Sequence, residues 1–466
     1  MVPSENFGYL YIYLWEWLAL PFYLFAILFM GRIYQMRKQK EDSLYDYYLK
    51  GLGIKLFGGI GFAVIYFYYY QGGDTTSYYE SALAMKNLMF HSFPDWLSNE
   101  FGAASPENYS KFTAQTGHPL HYMYYDPQTL MVIKIITPLM IPSLGGYLIS
   151  TLLLAWLSYS GLWRLFMVFS AYYPNLKKYF FISILCFPSV IFWGSGILKD
   201  TITLSCSCWL VYCIFNVFIM RRKVLKYLFL MIPFFIVILF IKPYIIMALM
   251  PGSLMWIFSQ RIYKIKNGLV RFLIVPFIFL VCFAGGYILL KSLGSIMGKF
   301  SIDRISTTAK VTEEDLKQDY YGGHSFDLGT FENTPTGYMK IFPKAFIAGT
   351  YRPFLWEAGN VVMLLSGLEN TYLLYLTFLM FKRTGITNIF KRLLKEPLLF
   401  FAFSFSVFFA FAVGLTTSNF GALVRFKVAY LPYLASALFI LSAKTEEEAV
   451  EADSTSEIST ADVPAM

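Results

Sequence analysis

Gly72-Gly73-Asp74-Thr75-Thr76-Ser77-Tyr78-Tyr79-Glu80 follows directly on an apolar, aromatic run from Leu52 to Tyr70 and is abruptly polar. If that run crosses a membrane, Asp74 stands at its mouth. A carboxylate fixed there can deprotonate a hydroxyl or hold a metal ion. It can equally cap a helix after a Gly-Gly turn, since Asp is a favoured N-cap residue. A helix is predicted from Asp74 to about Phe90, with Tyr78, Ala82, Met85 and Met89 at helical spacing.

Four further stretches each place a cation among aromatic residues where two apolar runs meet. In Pro188-Ser189-Val190-Ile191-Phe192-Trp193-Gly194-Ser195-Gly196-Ile197-Leu198-Lys199-Asp200 the small residues permit close backbone approach beside Lys199 and Asp200. Ile241-Lys242-Pro243-Tyr244 puts a lysine between two apolar runs with no loop to solvate it. Tyr351-Arg352-Pro353-Phe354-Leu355-Trp356-Glu357 and Asn419-Phe420-Gly421-Ala422-Leu423-Val424-Arg425-Phe426-Lys427 complete the set. Snorkelling explains any one such cation; four together point to an anionic ligand, gripped by Arg and Lys as phosphates are.

These residues sit in a chain of 466 residues that is 57% hydrophobic and only 14% charged. A soluble domain is typically about 25% charged, so the composition is that of a polytopic, all-α membrane protein. Eleven apolar runs approach the ~20 residues that a crossing needs: approximately 10–31, 52–70, 143–168, 179–197, 201–220, 225–241, 244–260, 269–290, 359–381, 397–414 and 428–443. Alternate connections are basic, with five Lys or Arg in 32–50, two at 177–178, four in 221–226, four in 261–271 and five in 382–395. By the positive-inside rule these lie in the cytoplasm. The N-terminus is then outside, the C-terminus inside, and the motifs above all face outward. The expected domain is 1–443, with long outer loops at 71–142 and 291–358, each holding an interfacial or re-entrant helix (near 130–141 and 339–354). An acidic Ser/Thr-rich tail at 444–466 is expected to be disordered.

The net charge of +9 follows this topology and is no nucleic-acid footprint. All five cysteines lie in apolar runs, and the four histidines (His91, His118, His121, His324) have no metal-ligand spacing. Glu369-Asn370, about ten residues into the ninth run, is the best evidence for a transporter or lipid flippase, because intramembrane ionisable groups are functional candidates by default.

The residues suit transfer of a sugar from a polyprenyl-phosphate or pyrophosphate donor to a glycan or lipid acceptor. The leaving phosphate needs charge stabilisation more than an acid. Asp74 is then the base or metal ligand, with Glu80 or Asp200 in reserve. Lys199, Lys242, Arg352, Arg425 and Lys427 are phosphate ligands, and Tyr78, Tyr244 and Asn419 further substrate contacts. A divalent cation such as Mg or Mn fits the same scheme through Asp74.

The motif GGDTTSYYESA after an outgoing run resembles the acidic first-loop motif of the C-type fold class of glycosyltransferases. PSVIFWGSGILKDT, KPY, YRPFLWEAGN and NFGALVRFKVAYLP resemble bacterial polytopic proteins taken for glycan-assembly glycosyltransferases or polysaccharide polymerases. The likeness touches most of the chain from Leu52 to Pro432. It implies a helical membrane enzyme of the bacterial inner membrane that uses lipid-phosphate-linked sugars. The chain departs from that class in an extra run before the motif and in a single Asp74 where many members carry paired acids.

Overall fold

The computed structural model describes residues 11–265, 268–292, 326–329 and 334–443. Tyr320–His324, most of the 291–333 stretch and the tail at 444–466 lie outside the described residues. The described chain is helical, with no strand among it. The main helices are α1 (Leu14–Gln39), α2 (Tyr48–Tyr68), α3 (Asp74–His91), α4 (Pro127–Ile136), α5 (Tyr147–Tyr172), α6 (Pro188–Trp193) and α7 (Lys199–Ile214). They continue with α8 (Val224–Ile241), α9 (Pro243–Tyr263), α10 (Gly268–Ser292), α11 (Pro335–Tyr351), α12 (Val361–Lys395), α13 (Pro397–Thr416), α14 (Phe420–Lys427) and α15 (Leu431–Ser442).

Seven helical stretches among the described residues are long and apolar enough to cross a membrane: 14–39, 43–68, 147–172, 199–219, 224–241, 361–395 and 397–416. An eighth is added if α14 and α15, bent by 66° at their junction, form one span. Helices α9 and α10 occupy the predicted runs at 244–260 and 269–290. The run at 179–197 is not one helix. A π-helical segment (Phe181–Cys186) ends at Phe187, where Pro188 forces extended backbone, and α6 starts afresh for six residues. The apolar windows of α5 and of 199–219 are 72% and 78% buried, whereas those of α1 and α8 are 22% and 17% buried. The first pair is therefore the centre of the bundle and the second its apolar rim.

Buried charges tie the pieces together by meeting helix ends, where backbone groups lack partners. Glu16 on α1 accepts from Leu148 N at 2.8 Å, at the start of α5. Glu369 on α12 accepts from Ser189 N at 2.7 Å, at the start of α6. Lys55 on α2 donates to Gly194 O at the other end of α6. The short helix thus has an acid at its positive end and a cation at its negative end.

The predicted interfacial segments are helices: α4, extended by a 3-10 turn to Met140, and α11. Helix α11 packs so closely on α13 that a Cβ on Gly349 would stand 2.0 Å from Ala410 O, and one on Gly414 1.9 Å from Ala345 O. Ala345/Gly349 and Ala410/Gly414 are two small-xxx-small pairs, the pattern by which membrane helices approach without a hydrophobic driving force.

Candidate functional site

Asp74 is the first residue of α3 and does not cap it. Gly73 is the N-cap, at a φ of 138° that favours glycine. Thr76 serves that cap from both sides: its Oγ1 accepts from Gly73 N at 3.1 Å and donates to Gly73 O at 2.8 Å. The Asp74 carboxylate is left to do something else. Its Oδ2 accepts from Arg425 Nη1 at 2.6 Å, and its side chain is 51% exposed. Its Oδ1 meets no described hydrogen-bond donor.

Arg425 joins two carboxylates, its Nε donating to Asp200 Oδ2 at 2.7 Å. Asp200 is 4% exposed, and its Oδ1 accepts from Lys242 Nζ at 2.5 Å. Four chain-distant turns therefore meet in one line, Asp74–Arg425–Asp200–Lys242, running from solvent into the protein. Tyr244 is half-buried, hydrogen-bonds Lys242 and packs on Phe409 with ring centroids 5.7 Å apart. Lys242 also lies 5.0 Å from the Phe426 ring.

Lys199 adjoins this line. It donates to Thr129 Oγ1 at 2.9 Å and pairs with Asp126 Oδ2 at 3.4 Å. Tyr78 is buried behind it, hydrogen-bonded to Thr129 and one helical turn from Asp74. Its place is to hold Thr129 and so Lys199, and it offers little surface to a substrate. Three cations (Lys199, Lys242, Arg425) thus face three carboxylates (Asp74, Asp126, Asp200). Asp126, a loop acid beside Pro127, supplies the third. The excess of positive charge expected from the turns is not present in this resting arrangement.

Burial pushes the Asp74 carboxyl up. The Arg425 guanidinium, by charge and by hydrogen bond, and Lys199 together outweigh that and hold it below the usual carboxylate range. Asp74 is therefore an ionised acceptor near neutral pH.

The remaining predicted site residues fall elsewhere or are fully engaged. Asp200 has both oxygens filled by cations, so it positions Arg425 and has no lone acceptor for a reaction. Glu80 lies six residues along α3, about 120° round the helix from Asp74. Burial alone raises its carboxyl to about 7, and its Oε1 is buried with no described partner.

Arg352 has its planar fork filled by Glu357, at 3.0 and 3.2 Å from Nε, and its charge sits over the Phe326 and Phe420 rings at 4.4 and 5.2 Å. Lys427 is two residues from Arg425, roughly 200° round α14. It points into the bundle, donating to Thr350 O at 3.0 Å, to Asn370 Oδ1 at 3.1 Å and to Arg352 O. It closes the C-terminal end of α11. Asn419 caps α14, its Oδ1 accepting from Gly421 N at 2.9 Å and Ala422 N at 3.2 Å. Arg352, Lys427 and Asn419 thus shape the helix that presents Arg425.

Among the described residues no group of three or more His, Cys, Asp or Glu side chains is placed to hold a metal ion. His118 packs against Tyr109 at a tilt and His121 edge-on, with centroids 5.9 and 5.6 Å apart. No family model, curated protein or solved structure matches the chain.

Proposed function

We propose that the chain is a membrane glycosyltransferase that moves a sugar or glycan from a polyprenyl-phosphate or pyrophosphate donor to a glycan or lipid acceptor. The observation that carries this reading is the half-exposed Asp74, with an open oxygen, beside an arginine anchored from behind by a buried Asp–Lys pair. On this reading the chain crosses a bacterial inner membrane with its N-terminus outside and its C-terminus in the cytoplasm, and the opening faces outward; the alternation of basic connections between the apolar runs supports that orientation.

In the reaction the acceptor hydroxyl oxygen forms a bond to the anomeric carbon and the bond to the donor phosphate breaks. The electron pair leaves on the phosphate, next to Arg425 and Lys199, and the hydroxyl proton goes to Asp74. The resting pairing makes Asp74 a weak base. A phosphate taking up the positive charge of Arg425 and Lys199 removes the influence that holds the carboxyl down, so Asp74 becomes more basic once the donor is bound. A divalent cation (Mg or Mn), where one takes part, would be held by Asp74 and the donor's own phosphates, as Mg commonly is.

Polymerisation of lipid-linked repeat units uses the same site with a longer acceptor. The transporter reading draws less support, because Glu369 is occupied at the start of α6 and Lys55 at its end. The test is transfer from polyprenyl-phosphate-linked sugars by the purified protein, wild type against Asp74→Asn. Movement of the lipid-linked glycan across liposomes without a covalent product would overturn the reading.

A further inference from the structure

The segment between α3 and α4 carries an aromatic surface that the charged line does not use. Tyr122 is 62% exposed, and its hydroxyl donates to Ser77 Oγ at 3.3 Å. Ser77 is three residues after Asp74, on the same side of α3. His121 is exposed, and its ring lies 4.6 Å from that of Tyr125. Asp126, the partner of Lys199, follows Tyr125 directly. The surface therefore touches the site at both of its edges.

It is also rigid. Tyr109 backs His121 and Tyr125 at 5.6 and 5.8 Å and is fixed by its hydroxyl, which donates to Pro119 O at 3.1 Å. Beneath it lies the buried Tyr124, whose hydroxyl donates to Asn99 Oδ1 at 2.7 Å.

We propose that His121, Tyr122 and Tyr125 form the platform on which a neutral pyranose ring of the acceptor glycan lies as it presents its hydroxyl to Asp74. The inference rests on the glycosyltransferase reading and names the acceptor side of the same site. A pyranose has an apolar C–H face and a hydroxyl rim. Tyrosine and imidazole rings offer the matching apolar faces with polar edges. An anionic ligand is disfavoured here, because residues 112–133 contain no Lys or Arg and Lys199, at the edge of the surface, is paired with Asp126. An all-hydrocarbon tail would leave the phenol and imidazole edges unpaired.

The experiment is saturation-transfer NMR on the full chain in lipid nanodiscs, with no donor. The probes are neutral trisaccharides of glucose, galactose, mannose and N-acetylglucosamine. Ring protons of at least one trisaccharide should receive saturation from the wild type and from Tyr122→Phe. Affinity should fall at least tenfold in the double variant His121→Ala/Tyr122→Ala, with its thermal unfolding unchanged. No saturation of any trisaccharide, or equal binding by the double variant, overturns the platform. Absence of saturation together with broadening of a spin label at Tyr122→Cys by a nickel-chelating lipid would identify a membrane anchor instead. Because no turnover is measured, trisaccharide binding by a protein that transfers no sugar would count against the transferase reading and leave the platform standing.

Discussion

Arg425 and Asp74 are separated by 351 residues in the chain and by 2.6 Å in space. The pair closes the bundle, joining the turn after the second apolar run to the turn before the last. Arg425 is 16% exposed and Asp74 51% exposed, so one partner is built into the protein and the other faces the opening. That asymmetry separates a residue that positions from a residue that can react.

Asp74→Asn keeps the side-chain volume and an acceptor for Arg425 but removes the base. Transfer from a polyprenyl-phosphate donor should fall by about 10²- to 10⁴-fold, with thermal unfolding of the purified protein little changed. Equal turnover at equal folded amount would remove Asp74 from the chemistry.

Asp200→Asn should behave in the opposite way. It leaves Lys242 and the inner side of Arg425 buried without a counter-charge, which costs on the order of 3–5 kcal/mol when one partner of a buried pair is lost. The expected result is a clear loss of folded protein in detergent. The double change Asp200→Leu/Lys242→Met should recover part of it, because the buried lysine charge is gone and Arg425 keeps Asp74 as its counter-charge. Recovery of fold without recovery of transfer would mark the buried pair as the support of Arg425.

Arg425→Lys tests geometry against charge. Lysine keeps the charge but lacks the planar fork that reaches Asp74 from Nη1 and Asp200 from Nε at once. Turnover should fall at least tenfold while the KM for the acceptor stays near the wild-type value, as measured by steady-state transfer with the donor saturating.

Much of this site was legible in the sequence, and the reasons are local. Asp74 opens a polar motif directly after an apolar run, and Lys199, Lys242 and Arg425 stand where apolar runs meet; capping or snorkelling explains any one of them, and it is the set that points to a common place. What one sequence hides is direction and pairing. Arg425 and Lys427 read as equals along the chain, yet the turn of α14 sends one to the site and the other to the carbonyls of α11. Asn419 and Arg352 carry the right chemistry for a ligand but meet a helix end and Glu357 instead. The break at Phe187-Pro188 is written in the proline, but a hydrophobic run of ordinary length masks it. Asp126 gives no signal until Lys199 is seen beside it.

Glu80 gives the pH test. Its carboxyl is raised to about 7 by burial, whereas in the unfolded chain it ionises near 4.5. The folded state therefore binds the proton more tightly, and stability is fully present below about pH 4.5 and declines as pH rises to about 7. Glu80→Gln removes that dependence. Relative to wild type it should stabilise at pH 8 by on the order of 3 kcal/mol and change little at pH 4.5, as measured by chemical unfolding of the purified protein. Equal stability differences at both pH values would mean that Glu80 is ionised in the fold.

The close crossing of α11 on α13 supplies a prediction that joins stability to transfer. A Cβ at Gly349 would stand 2.0 Å from Ala410 O, and the atom it meets is backbone, which cannot swing aside as a long side chain can. Gly349→Leu must therefore separate the two helices. Overpacking of this kind typically costs 1–3 kcal/mol, and here it also strains the end of α11, where Lys427 holds Thr350 O and Arg352 O. Displacing those carbonyls shifts Lys427, and with it α14 and Arg425. Gly349→Leu should accordingly lower both the unfolding temperature and transfer, whereas Gly53→Leu should lower neither, because a Cβ on Gly53 meets nothing within 4 Å. If Gly349→Leu unfolds earlier yet transfers sugar at the wild-type rate below its transition, the route from α11 through Lys427 to Arg425 is not the one that positions the site.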